Sequence, residues 1–307
     1  MKVLITTGSF GQYDPAPLEK LKRAGAEIIS NPYGKKLSLE QSLELYSQNI
    51  DGVIAGTEEI NAQVLQRAKS LKIISRCGIG LDNVDLAAAK KMNINVFKTS
   101  LAVTDAVAEL TLGLILNSLR FISYADRILR KGEWQKPMGF LLKGKTVGIL
   151  GFGAVGKKFV QLCAPFGCHF LAYDILPDDI FAKQHHVSYG ALDDILKKSD
   201  IITVHLPFNP QTNNLISEEK LKLMKKDAFL INTARGGIVN EDALYQVLKE
   251  KRIAGAAFDV FAQEPYTGNL LELDNIILTS HIGSYAREAR VSMEHEAVDN
   301  LIKGLKL

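Results

Sequence analysis

Cysteine is scarce in this chain: three in 307 residues, Cys77, Cys163 and Cys168, with no spacing that suits a metal. An odd, unpatterned set excludes a disulfide framework. It predicts reduced thiols that act as small core fillers in a cytoplasmic protein. Long apolar runs are missing too. None reaches the length that spans a bilayer. The opening MKVLITTGSFG turns at Gly8 before a secretory apolar region can form, so neither a leader nor a membrane contact is expected. A basic stripe is also absent. Net charge is +3, and the longest basic clusters are the pairs Lys35-Lys36 and Lys197-Lys198, so no nucleic-acid partner is expected. The adjacent His185 and His186 lack further ligands in their polar loop, and no metal is predicted.

What remains is ordinary globular material, 47% hydrophobic and 23% charged, long enough for two domains. Short apolar runs alternate with helical patterns. KVLIT (2–6), EIIS (27–30), GVIAG (52–56), LKIISRCG (71–78) and NINVFKT (93–99) read as strands, with helices between them. A long helical stretch follows from about Thr104 to Lys131. Its first half, AVAELTLGLILNSL, is apolar nearly all round and needs cover on more than one side, from the interior or from a second subunit. Six more strand-like runs come next: KTVGIL (145–150), HFLAYD (169–174), DIITVHLP (200–207), AFLINTARGG (228–237), IAGAAFDVF (253–261) and NIILTSHIG (275–283). Alternation with short loops implies parallel pairing, an α/β class and a doubly wound sheet.

Ligands of such sheets bind beyond the carboxyl ends of the strands. In the second series those ends are polar. They carry Gly151-Phe152-Gly153-Ala154-Val155-Gly156, then Asp174, His205, Asn232-Thr233-Ala234-Arg235, Asp259 with Glu264, and His281. One polar tip is noise, whereas six on one edge make a site. The GxGxxG follows an apolar strand and opens an amphipathic helix, with an acidic residue eighteen positions after Gly156. The glycines allow a tight turn and bring a pyrophosphate onto the N–H groups of the helix start. Asp174 can accept from both ribose hydroxyls and repels a 2′-phosphate. No arginine follows it in DILPDD, so NAD is expected rather than NADP. His281, Glu264 and Arg235 supply a proton carrier, a carboxylate to orient it and a planar cation for a substrate carboxylate. His205 reads as a cofactor-facing or structural histidine rather than a second base.

Together GILGFGAVG, NTARGG, FDVFAQEP and SHIGS, in this order, resemble the D-isomer-specific 2-hydroxyacid dehydrogenases. SRCGIGLDNVDL and AVAELTLGLIL look like the first-domain signatures of the phosphoglycerate-dehydrogenase branch. The resemblance implies two Rossmann-like domains. A doubly wound NAD domain, 100–284, is inserted into a flavodoxin-like substrate domain, 1–99 with 285–307. It implies that Arg235, Glu264 and His281 form the catalytic triad. Ala154, Val155, Asp174, Thr233, Ala234, Asp259 and Gly283 would line the NAD site, and Cys77, Gly78 and Ile79 would offer N–H groups to the substrate. The partner is then a 2-hydroxy or 2-keto acid, 3-phosphoglycerate first, and the helix near 104–119 makes a homodimer. Family corepressors that keep the triad but act through partner binding carry extensions not seen here. One departure stands out. The phosphoglycerate enzymes place an arginine after the third strand, where this chain reads VIAGTEEI, with Glu58 and Glu59. An unphosphorylated sugar acid or bulky keto acid is the alternative substrate. With the sequence running to Leu307, the regulatory domain of longer relatives is not expected.

Overall fold

The computed structural model describes residues 1–99 and 102–306. The chain divides into two compact units, unit 1 (Met1–Val103 with Ser284–Leu307) and unit 2 (Thr104–Gly283). The expected boundary after residue 99 abuts Ser100 and Leu101, and those two, like Leu307, lie outside the described residues.

Unit 1 holds five strands: β1 (Lys2–Ile5), β2 (Glu27–Ser30), β3 (Gly52–Ala55), β4 (Ile73–Arg76) and β5 (Asn95–Lys98). They pair in parallel in the order β2-β1-β3-β4-β5. β3 and β4 are buried along their whole length, β3 as an unbroken apolar run and β4 with Ser75 and Arg76 buried at its end. Capping side chains start the intervening helices. Ser38 makes a full capping box with Gln41, and Asn61 and Asp85 accept from N–H groups of the turns they open. The last helix, Arg287–Leu305, belongs to this unit, and Ser75 on β4 donates to the carbonyl of Ala297 at 2.7 Å.

Unit 2 holds seven: β6 (Thr146–Leu150), β7 (His169–Tyr173), β8 (Val187–Tyr189), β9 (Ile201–Val204), β10 (Phe229–Asn232), β11 (Gly255–Phe258) and β12 (Ile276–Leu278). Their order is β12-β11-β10-β9-β6-β7-β8, again all parallel. Leu230 packs into the core on one face of this sheet, while its neighbours Phe229 and Ile231 pack into the core on the other. Both faces are therefore covered. The chain leaves β6 towards β7 and β8, then returns to β9 on the opposite side. The switch point lies between β6 and β9, where a doubly wound sheet opens its binding crevice.

Two features depart from the sequence reading. β8 is a seventh strand, three residues long, where six were expected. The stretch read as one helix from about 104 to 131 is two, Ala102–Arg120 and Ile122–Arg130, bent by 59°. Phe121 breaks it by taking a left-handed conformation, φ 51°. Asn117 makes the break tolerable, because its Oδ1 accepts from the Ser123 N–H at 2.9 Å in the first turn of the second helix. Among the described residues, no single helix is long and apolar enough to cross a membrane.

Candidate active site

The carboxyl ends of β10, β11 and β12 lie side by side, with neighbouring strands about 4.8 Å apart. Each is followed by one of the three side chains expected to do the chemistry. Arg235 follows β10 by three residues. Asn232, which is buried, shapes that turn: its Oδ1 accepts from Ala234 N–H at 3.1 Å and its Nδ2 donates to Arg235 O at 3.0 Å. One guanidinium N–H of Arg235 donates to Ala234 O at 2.7 Å. Glu264 follows β11, and its Oε1 accepts from the Phe261 N–H at 3.1 Å. His281 follows β12. Its Nδ1 lies 2.9 Å from Glu264 Oε2 and 3.1 Å from Oε1. A carboxylate beside Nδ1 assigns the proton there and turns Nε2 outward. The imidazole is 36% exposed, so a substrate can reach it.

His281 is held in a left-handed conformation, φ 56°, which histidine adopts at a cost. Asp259, wholly buried, supplies the restraint. Its carbonyl accepts from His281 N–H at 2.8 Å. Its Oδ1 accepts from Ile282 N–H at 2.8 Å and Thr279 Oγ1 at 2.6 Å, and its Oδ2 from Gly283 N–H at 2.8 Å. The loop 279–283 is wrapped around one carboxylate.

At the switch point, Gly151 has φ 96°, and a Cβ there would fall 2.7 Å from the carbonyl carbon of His205. The turn needs glycine. Gly153 and Ala154 are exposed and Val155 is half-buried. Gly153 is the N-cap of the helix Ala154–Cys163 and brings no side chain, so no side chain caps the first N–H groups of that helix. Asp174, at the end of β7, accepts from Phe152 N–H at 2.6 Å and Leu176 N–H at 2.9 Å. It ties the glycine turn to the neighbouring strand end.

Residues 112–283 match the family described as D-isomer specific 2-hydroxyacid dehydrogenase, NAD binding domain. The chain is 45% identical to the glyoxylate reductase of Thermofilum pendens over 259 residues, 81% of this chain and 76% of that protein. It is 38% identical over 258 residues to the D-3-phosphoglycerate dehydrogenase of Methanocaldococcus jannaschii, 83% of this chain but 49% of that longer protein. Among solved structures, the TT0316 protein of Thermus thermophilus is similar with a TM-score of 0.90 and 32% identity, covering 100% of this chain and 97% of that one. The chain belongs to the D-isomer-specific 2-hydroxyacid dehydrogenase family.

This dehydrogenase is an NAD-dependent enzyme of two parallel α/β units. Its glycine turn suits the cofactor: uncapped helix N–H groups favour a pyrophosphate, and Asp174 keeps lone pairs for ribose hydroxyls. Several side chains expected at NAD do other work. Thr233 is buried, and its hydroxyl lies 2.8 Å from that of Thr111, which in turn donates to Val107 O. Thr233 thus ties β10 to the helix Ala102–Arg120. Asp259 is engaged with the His281 loop. His205 turns its ring inward, with Nε2 3.0 Å from Thr203 Oγ1 and its ring centroid 6.0 Å from that of Phe159. Burial pulls its pKa down to about 3, so it is neutral at working pH and is no second acid.

In unit 1, the Cys77–Gly80 loop is engaged more than the sequence implied. Cys77 N–H donates to Ala55 O and Gly78 N–H to Arg76 O, both at 2.9 Å. Both N–H groups thus have partners within unit 1. Burial pushes the Cys77 thiol up to about 11, which makes it inert. Glu58 and Glu59 separate. Glu59 is exposed, whereas Glu58 is 1% exposed and its Oε1 accepts from Thr6 Oγ1 at 2.7 Å and Tyr46 OH at 2.9 Å.

Proposed function

We propose that this dehydrogenase reduces a small, unphosphorylated 2-keto acid, with glyoxylate and hydroxypyruvate the first candidates. NADH supplies the hydride when bound. Arg235 holds the substrate carboxylate and polarises the keto group. His281 Nε2 delivers the proton to the keto oxygen, with Glu264 fixing the ring from behind. Unit 1 serves as the substrate domain in this reading.

Glu58 carries the choice of substrate. It sits just beyond β3, where a phosphate-reading enzyme would place a cation. Burial first, then the charge of Glu58, pushes the Tyr46 hydroxyl well above its usual range, while the charge of Arg76 pulls it down. Glu58 is buried and held by Thr6 and Tyr46, so a carboxylate and not a cation follows β3. The similarity to glyoxylate reductases favours the same reading. The test is NADH oxidation with glyoxylate, hydroxypyruvate and 3-phosphohydroxypyruvate. The expected kcat/KM is at least about 100-fold higher for an unphosphorylated acid. A preference for the phosphorylated acid sinks the proposal.

A homodimer is part of the same proposal. Leu112 and Leu116 are only half-buried on the apolar helix Ala102–Arg120, and in the same unit Trp134 and Met138 are 80% and 88% exposed. A second copy covering this surface would double the mass seen by light scattering. A monomer at micromolar concentration would refute it.

A further inference from the structure

Glu241 stands outside the three groups that do the chemistry, in the first turn of the helix Glu241–Lys249. Its carboxylate nevertheless reaches the turn that carries Glu264. Glu241 Oε1 accepts from Ala262 N–H at 2.7 Å. The preceding N–H, of Phe261, donates to Glu264 Oε1, and the same oxygen lies 3.1 Å from His281 Nδ1. Two successive peptides of one turn are therefore clamped by two carboxylates, and one of these is the histidine's partner.

The Arg235 loop presses on the same peptide. A Cβ on Gly236 would fall 1.9 Å from the carbonyl carbon of Phe261 and 2.3 Å from the nitrogen of Ala262. Only glycine permits this approach. The peptide that Glu241 holds is thus packed against the residue next to Arg235. Helix capping does not explain Glu241, since Asn240 already accepts from Ala243 N–H at 2.9 Å. Burial foremost raises the Glu241 carboxyl above its usual range; the Ala262 N–H opposes that shift, and the charges of Asp242 and Glu264 add to it.

We propose that Glu241 is a positioning residue of the dehydrogenase reaction: by fixing the Phe261–Ala262 peptide, it sets where Glu264 meets His281. This rests on the catalytic reading of Arg235, Glu264 and His281, and the test separates the two. Turnover of glyoxylate or hydroxypyruvate with NADH is measured for Glu241→Ala and Glu241→Gln, each alone and in a Glu264→Gln background, beside thermal melting. Loss of one charge-assisted hydrogen bond predicts a kcat about tenfold lower in Glu241→Ala, with KM for NADH unchanged. Glu241→Gln keeps an acceptor oxygen and should recover most of that loss. In the Glu264→Gln background the effect of Glu241→Ala should shrink below about twofold, because its route of action is already cut. Should alanine fail to fold, Glu241→Asp, one methylene too short to reach Ala262, makes the same comparison. Full kcat in the single variants, or an equal loss in both backgrounds, overturns the proposal. Wild-type turnover in Glu264→Gln alone overturns the catalytic reading, and the proposal with it.

Discussion

Replacing His281 with asparagine is expected to lower the turnover of a 2-keto acid with NADH about a thousandfold and to leave NADH binding intact. The choice of asparagine matters. His281 has φ 56°, a region that alanine enters with strain and asparagine tolerates. Alanine would mix two effects, the loss of an imidazole and a relaxing loop. Asparagine keeps the backbone where Asp259 holds it and removes only the ring. The loss should fall on kcat, because Nδ1 is engaged by Glu264 and only Nε2 remains to serve the substrate. Steady-state rates with each 2-keto acid, beside a fluorescence titration of NADH, make the check. An asparagine variant that keeps more than about a tenth of wild-type turnover would remove His281 from the proton path.

The alternation of short apolar runs and helical patterns was enough to read two parallel sheets, because β-branched strands buried on both faces leave continuous signals. It was also enough to bring Arg235, Glu264 and His281 to adjacent strand ends, since that follows from strand order. β8 escaped notice because three residues after a polar His-His pair leave almost no period to detect. The break at Phe121 escaped because neither glycine nor proline marks it, and its support is a side chain four residues earlier, Asn117. Side-chain direction was the larger gap. A residue's place at a strand end does not say whether it faces the ligand or the neighbouring element. Thr233, Asp259 and His205 all stand at the right edge, yet their functional groups turn towards Thr111, the 279–283 loop and Thr203. Glu241 left no signal of its own, because an acid in a helix's first turn is what capping and the helix dipole already favour.

Asp259→Ala should be the most damaging single change in unit 2. The carboxylate accepts two backbone N–H groups and one hydroxyl in a fully buried place. Alanine leaves three donors without acceptors, at about 1–3 kcal/mol each where water cannot replace the oxygen. A net loss of about 3 kcal/mol is a large share of the roughly 5–15 kcal/mol that holds a domain together. For a unit of this size it should lower Tm by about 6–12 °C. The chemistry should suffer further. With Ile282 and Gly283 released, the turn at His281 keeps the Asp259 backbone carbonyl but loses the carboxylate that shapes it, and the imidazole drifts from Glu264. We expect kcat at 25 °C, where the variant is still folded, to fall about 100-fold or more. Asp259→Asn should be intermediate. Its amide oxygen can serve Thr279 and Ile282, but its NH2 then faces the Gly283 N–H, donor against donor. A variant that melts early yet turns over normally at 25 °C would show that the loop keeps its shape without the carboxylate. Asp259 would then be a stabilising residue and not the one that holds His281 in place for the reaction.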